Sequence, residues 1–316
     1  MELLDIYTLS NIKGLGDKSI IKIINFCKTN NIKKLEELRN SVIARLLVKN
    51  YATILINALK NLYVLKYNSQ EEINKFKDEN IYAISILDKK YPKLLKATTN
   101  PPVILYCKGN ISLLNNSSIA VIGTRENTKI GKKITERTVE FLIKNNFTII
   151  SGLALGIDTI AHLRTLDLRG KTIAVLASIV NIQPTSNIKL ANDILENNGL
   201  LISEQKPKTR YHPSQLVKRD RIQSGLSISL FAIETKIDGG TMNAINDSIK
   251  HNRIVYTPDI FGFKQTYLSH KQTQGILKLQ KEGLSKKYTS EDYQKILKTI
   301  NSYKIDNIKN RNLFCL

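Results

Sequence analysis

The spacing of hydrophobic residues divides the chain into two main parts. Over residues 1–67, apolar side chains recur at intervals of three and four, and no strand-like run is bounded by glycine or proline. This pattern predicts a helical domain, followed by a linker at Asn68-Ser69-Gln70. From there on, short apolar runs alternate with amphipathic stretches. The predicted strands are 81–87, 119–122, 147–150, 172–176, 200–203, 228–233 and 253–256, and the predicted helices are 131–144, a segment from 159, 188–197 and a segment from 241.

This alternation indicates an α/β fold class. We predict an extended Rossmann-like, mostly parallel sheet over residues 68–297, covered by helices on both faces, beside the small N-terminal all-helical domain. The pattern Gly-x-Gly-x-x-Gly with an acidic residue ~20 positions on is absent from the sequence, so no nicotinamide or flavin cofactor is expected. Residues 298–316 are too few for a winged-helix domain, and we expect a short basic tail there.

The net charge indicates a polyanionic partner. There are 48 Lys and Arg residues against 27 Asp and Glu, a net charge of +21, and such an excess favours polyanions over small acids. A usage bias toward lysine, asparagine and isoleucine is the competing explanation. The three cysteines lack the paired spacing of a zinc or redox motif, no apolar run approaches the ~18 residues of a membrane span, and the first residues are acidic. We expect a cytoplasmic protein with no metal site and no membrane contact.

Two glycine-containing turns follow predicted strands and form the first candidate site. Gly123, Thr124 and Arg125 follow one strand, and Ser151 and Gly152 follow the next. At the carboxyl end of a parallel strand, backbone amides and the following helix N-terminus favour an anion, and arginine binds phosphate oxygens with its planar fork. The alternatives are a structural ion pair for the arginine and close strand–helix packing for the second turn.

Further candidates lie in the second half of the chain. Arg219 and Arg221 are two apart, which in an extended segment places both on one face for DNA contact. Pairing with Asp220, Glu204 or Glu234 is the alternative. Gly240 and Thr241 precede a predicted helix and offer a second amide nest for phosphate, or a simple N-cap.

Other polar residues have weaker predicted roles. Asp158 and His162 are four apart on a predicted helix; we expect them to orient the turn above them, with a catalytic role as the alternative. Lys206, Lys208 and Arg210 form a basic loop that is either solvated or tracks a strand of DNA. In the helical domain, Gly14-Leu15-Gly16 with Lys18 resembles the hairpin of a helix-hairpin-helix unit, which exposes amides to a DNA phosphate; an ordinary helix connection has the same pattern.

Several of these segments, in the same order, resemble the DNA-processing protein A (DprA/Smf) family, from about Tyr91 to Leu297. The matching segments are Tyr91-Pro92, 101–106 with Gly109, 123–125, 151–162, 170–176, Ser203-Glu204, 219–222 with 225–227, Glu234 to 240–241, and Pro258, Gly275 and 282–283. Three departures stand out. The family's Gly-x-Asp…Tyr-Pro turn begins here with Ile179 in place of glycine, so we expect a different shape for that loop. The family's Phe-Pro-x-Arg-Asn-Arg is replaced here by residues 216–221, with Asp220 between the arginines. A frequent basic residue of the family is Thr185 here, with Lys189 close by.

The resemblance implies a single-stranded DNA-binding protein that protects incoming strands during natural transformation and helps to load a RecA-type recombinase. It also implies a homodimer formed through the C-terminal half of the sheet. On this hypothesis the protein is not an enzyme, has no catalytic residue, and uses Tyr211 as its candidate platform for base stacking.

The main alternative is a Rossmann-type nucleoside-monophosphate phosphoribohydrolase, which residues 238–241 resemble. That family's pattern continues to a glutamate, which is missing from 242–247 here. A scaffold that does not bind DNA, with a charge that only reflects composition, is the third hypothesis.

Overall fold

The computed structural model describes residues 1–39, 49–210 and 212–309, and its N-terminal part is helical as predicted. Apolar residues of these helices, including Ile6, Leu9 and Phe76, are buried in a cluster that continues into the core of the sheet. The helices are α1 Leu3–Ser10, α2 Asp17–Thr29, α3 Leu35–Arg39, α4 Lys49–Leu59 and α5 Leu62–Asp78.

The predicted linker at 68–70 is wrong, because these residues lie inside α5. Ser69 is buried, and its hydroxyl accepts a hydrogen bond from the side chain of Asn11 at 3.2 Å. The polar run does not interrupt the helix because Ile73 and Phe76 further along bury its apolar face. The proposed boundary between residues 67 and 68 therefore falls within a continuous helix.

The second part is a nine-stranded sheet, which confirms the predicted α/β class. Seven strands are parallel, and β1 and β2 extend the sheet in antiparallel pairing. The spatial order is β1-β2-β6-β5-β4-β3-β7-β8-β9. The strands are β1 Ile81–Ser85, β2 Ile104–Gly109, β3 Ser118–Ile122, β4 Thr148–Ser151, β5 Thr172–Val175, β6 Leu200–Ser203, β7 Ser229–Ala232, β8 Ile254–Pro258 and β9 Lys286–Tyr288.

Helices connect these strands. They are α6 Lys93–Lys96, α7 Lys129–Lys144, α8 Ile157–Asp167, α9 Ile188–Glu196, α10 Ser214–Leu226, α11 Thr241–Lys250, α12 Gln265–Leu268, α13 Gln274–Lys281 and α14 Tyr293–Lys309. None of the helices described is long and apolar enough to cross a membrane.

The segment that contains Arg219 and Arg221 is helical and not extended, so the two side chains do not share a face. Residues two apart on an α-helix point in nearly opposite directions. The pattern concealed α10 because much of its buried face is polar; Gln215, Gln223 and Ser224 are all buried.

The last described helix crosses the predicted boundary between the sheet domain and the tail. Ile300 of α14 is fully buried in a cluster with Tyr288 and Ile296. A tail that begins at residue 298 would therefore include part of the core, and Arg311, expected in the basic tail, lies outside the described residues.

The strand order places a topological switch point at β3. From this strand the chain proceeds through β4 to β5 and β6 on one side, and through β7 to β8 and β9 on the other. The loops that leave the carboxyl ends of β3 and β7 diverge there and open a crevice, which is where open α/β sheets bind ligands.

Candidate functional site

The turn after β3 is held in place by the loop after β7. The amide of Thr124 donates to the carbonyl of Glu234 at 2.8 Å, and the Thr124 hydroxyl donates to Gln272 Oε1 at 2.7 Å. A Cβ at Gly123 would lie 2.6 Å from the side chain of Ile157, so close packing requires glycine there. Arg125 is exposed and makes no hydrogen bond or ion pair within the described residues. Among the described residues, a structural ion pair for Arg125 is therefore excluded.

Several amides at the first two turns and at the starts of the helices that follow already donate to protein groups. The Thr128 amide, before α7, donates to Glu234 Oε2 at 2.9 Å. The Gly152 amide donates to Asp158 Oδ2 at 3.0 Å, and the Ile157 amide at the start of α8 donates to a carbonyl. Protein groups thus take the place of the anion predicted at these helix ends.

The N-terminus of α11 differs from the other two. Gly240 precedes the helix and Thr241 is its first residue, without a side-chain cap. Within the described residues, the amides of Gly240 and Thr241 donate to no protein acceptor. This end of the crevice thus has two backbone donors without an acceptor in the described part of the chain, and their role as an amide nest for phosphate stays a prediction.

A cavity of about 510 Å³, called the first cavity, occupies the crevice. It brings together most of the predicted residues, and Arg125 and Arg219 also line an adjoining cavity of about 130 Å³ that adds Gly152. The predicted residues that line the first cavity are Gly123, Thr124, Arg125, Arg219, Gly240 and Thr241.

Arg219 lies in the floor of this cavity with 5% of its surface exposed. Its Nη1 donates to the carbonyl of Val175 at 3.1 Å, and its Nε lies 3.2 Å from Asp220 Oδ1. The guanidinium passes directly over Gly152, where any Cβ would overlap it. Gly152 is therefore required by the arginine, and Arg219 Nη2 has no hydrogen-bond partner among the described residues.

Buried acidic groups reduce the positive charge of the cavity. Burial raises the pKa of Asp220 to about 6, against the opposing effect of the Arg219 guanidinium. Burial also raises the pKa of Asp158, which accepts from the Gly152 amide. The side chain of His162 binds Thr172 at 2.7 Å, and burial, with the Arg219 charge, lowers its pKa to about 3. Asp158 and His162 thus contact structural groups, as expected for residues that orient the turn.

Three predicted site residues lie away from the first cavity. Ser151 is fully buried and donates to the carbonyl of Val121 at 2.7 Å. Lys189 is exposed on α9 and lines neither of the two cavities described above. Arg221 points to the opposite side of α10 and pairs with Glu204.

Arg221 belongs to a cluster, called the junction, where the helical domain meets the sheet. Its guanidinium binds the carboxylate of Glu204 and lies near Asp17 at the start of α2. Burial raises the pKa of both acids, and the Arg221 charge opposes the rise. The hairpin of Gly14, Gly16 and Lys18 lies beside this junction, with all three residues exposed and Gly14 at a φ of +94°. Its role as a DNA contact stays a prediction.

The basic loop after β6 is paired with α5. Lys206 binds Glu72 and lies 5.7 Å from the centre of the Tyr7 ring, and Lys208 lies 3.2 Å from Glu79. These contacts attach the loop to the helical domain, which leaves the two lysines less able to track DNA. The proposed stacking residue Tyr211 lies outside the described residues.

Sequence reasoning missed two residues beside Arg125. Lys236 lines the first cavity after β7, and its Nζ lies 3.1 Å from Glu126 Oε2. Lys236 follows β7 and Glu126 follows β3. Both therefore lie at carboxyl ends of parallel strands, where the rule that identified Arg125 also applies.

Comparisons with known proteins agree with this architecture. The family described as DNA recombination-mediator protein A matches residues 82–301. DNA processing protein DprA of Bacillus subtilis is 32% identical over 183 residues, 57% of this chain and 61% of the relative. The chain thus spans less than two thirds of that relative.

Two solved structures are similar over nearly their whole length. The X-ray structure of DprA from Streptococcus pneumoniae has a TM-score of 0.77 and 27% identity, covering 93% of this chain and 96% of that one. DprA from Helicobacter pylori, whose structure was described for its single-stranded DNA binding mode, has a TM-score of 0.60 and 26% identity, covering 72% and 96%. With the family match over most of the sheet domain, these findings show that the chain belongs to the DNA recombination-mediator protein A family.

Proposed function

We propose that this chain binds single-stranded DNA through the first cavity and acts as a recombination mediator without catalysis. The observation that carries the proposal is the exposed guanidinium of Arg125, which has no hydrogen bond or ion pair within the described residues. It faces the same cavity as the amides of Gly240 and Thr241, which have no acceptor there. Charged and backbone donors that converge in this way suit a phosphate. The single-stranded DNA binding described for the Helicobacter pylori relative supports the choice of ligand.

The phosphoribohydrolase alternative has less support. Hydrolysis of a nucleotide would need a carboxylate free to act on the sugar or on water. Asp158 is bound by the Gly152 amide, and Asp220 is paired with Arg219. Glu126, the third acid that lines the first cavity, is paired with Lys236, so each of these carboxylates has a protein partner, which favours binding over hydrolysis.

The binding proposal is tested by fluorescence anisotropy with single- and double-stranded oligonucleotides of the same sequence at two salt concentrations. We expect tighter binding of the single strand and weaker binding at high salt, since phosphate contacts release counterions. Equal affinity for both forms would contradict the proposal. Incubation with nucleoside monophosphates provides a second readout, and release of free base would favour the enzyme.

The proposed partners are a RecA-type recombinase and a second copy of this chain, located in the cytoplasm. The family resemblance and the similarity to DprA proteins support them. Light scattering of the purified protein tests the homodimer, and a mass of one chain would contradict it. Faster assembly of a RecA-type recombinase on coated single strands, measured with and without this protein, tests the mediator role.

A further inference from the structure

A second cavity of about 490 Å³ lies beside the first and shares one wall with it. The shared residue is Glu126, directly after Arg125. The floor includes Thr128, whose amide and hydroxyl both donate to the buried carboxylate of Glu234, and Tyr267, whose hydroxyl donates to the same carboxylate at 3.0 Å. The floor is thus fixed by hydrogen bonds, and the two cavities form a continuous surface at the carboxyl edge of the sheet.

Lysines surround the wall between the two cavities. Lys236 lies on the side of the first cavity and Lys271 on the side of the second, 3.1 and 3.9 Å from the Glu126 carboxylate. Gln272 donates to the same carboxylate at 2.9 Å. The side chain of Glu126 is exposed and comes from a surface turn. It occupies donors that a DNA phosphate crossing from one cavity to the other would bind.

Two exposed aromatic rings lie on the loop after β8, and one of them contacts Tyr267 in the floor of the second cavity. Phe261 and Phe263 are 59% and 37% exposed, although large apolar side chains are usually buried. The ring of Phe263 lies 5.3 Å from that of Tyr267 in the cavity floor, and Lys287 lies 4.7 Å from the centre of the Phe261 ring. Exposed rings interleaved with lysines are the combination that single strands bind, because bases stack on the rings while the cations contact phosphates.

We propose that the second cavity, with Phe261 and Phe263, is a base-stacking subsite for nucleotides of the strand anchored at Arg125, and that Glu126 holds the connecting lysines until a phosphate displaces it. The inference rests on the proposed DNA-binding function. The DNA strand would run from the switch point toward β8, with its bases stacked at the far end. The loop that bears the two rings follows β8 at the same edge of the sheet as the anchor, so one continuous strand contacts both sites.

The test compares oligothymidylates of about 4 and about 16 nucleotides, which bracket the usual span of single-strand sites. For each variant, anisotropy titrations give the affinity for the longer strand divided by the affinity for the shorter one. In the double variant Phe261→Ala/Phe263→Ala we expect this ratio to fall at least about fivefold, the effect of losing one stacked base. In Glu126→Gln we expect it to rise about two- to fivefold, since an exposed ion pair that competes with phosphate is removed.

The matched control is Tyr63→Ala, which removes an aromatic ring that is 80% exposed on α5 in the helical domain. It should keep the natural ratio. An unchanged ratio in the double phenylalanine variant overturns the subsite. If light scattering also shows a changed mass for that variant, the rings belong to a contact between protein chains. Undiminished binding of the short strand by Arg125→Ala would instead overturn the proposed function, so the two failures are distinguishable.

Discussion

Two arginines on one helix serve opposite sides of the molecule. Arg219 of α10 lies under the first cavity and leaves Nη2 without a protein partner among the described residues, whereas Arg221 points to the junction and binds Glu204. The two residues are of the same type and lie close together in the sequence. Their different surroundings decide that one lines a cavity and the other stabilises the fold. The helix connects the two regions, so each can be tested with the other as its control.

The largest expected effect is on stability, at the junction. Arg221→Ala leaves the buried carboxylate of Glu204 without its cation, and breaking such a pair costs about 3 kcal/mol. Urea denaturation should show a lower free energy of unfolding for this variant. The double variant Arg221→Ala/Glu204→Gln should recover part of the loss. A change below about 1 kcal/mol would assign the junction no structural role.

The next effect is on binding, at the first cavity. Arg125→Ala removes an exposed guanidinium that makes no hydrogen bond or ion pair in the described chain, so we expect the single strand to bind about 1.5–3 kcal/mol more weakly. The measurement is anisotropy, and the urea midpoint should not change. Equal affinity in a variant with a normal midpoint would remove Arg125 from the site.

A smaller effect in the opposite direction is expected at Asp220. Its carboxylate neutralises part of the Arg219 charge, so Asp220→Asn should strengthen binding by about 1 kcal/mol. Because burial raises the pKa of this acid to about 6, the natural protein should gain affinity as the pH falls through that value and lose it as the pH rises. Binding measured between pH 5 and 8 should vary less in Asp220→Asn. Weaker binding by this variant would mean that the acid helps to place Arg219.

The smallest effect is on the salt dependence. If about five phosphates are contacted, log affinity should fall against log salt with a slope near −3.5, and Arg125→Ala should reduce its magnitude by about 0.7. Arg221→Ala should leave the slope unchanged, because its charge is bound to Glu204. A flat response in the natural protein would show that the +21 charge reflects composition.

The strands and the glycine turns that follow them could be predicted from the sequence, because both depend on residues that are neighbours along the chain. The apolar run 119–122 is buried along its length, and the turn that follows it needs glycine for close packing. The helix α10 could not be recognised in this way, since its periodicity includes buried Gln215, Gln223 and Arg219. The partners of Arg219 and Arg221 could not be predicted either. Glu204 and the carbonyl of Val175 are distant from them in the sequence and lie beside them only in the folded chain.

Glu234 holds the turn that presents Arg125 with both its carboxylate and its backbone carbonyl. Glu234 receives the Thr128 amide and hydroxyl, its carbonyl receives the Thr124 amide, and it fills the space that a side chain at Gly131 would need. The turn that presents Arg125 therefore acquires its contacts with Glu234 only after β7 has docked beside β3, more than a hundred residues later in the chain. Contacts with such wide sequence separation form slowly. A nascent chain that ends before Glu234 would have the arginine but no ordered turn to present it, so we expect DNA affinity to appear with completion of the native sheet.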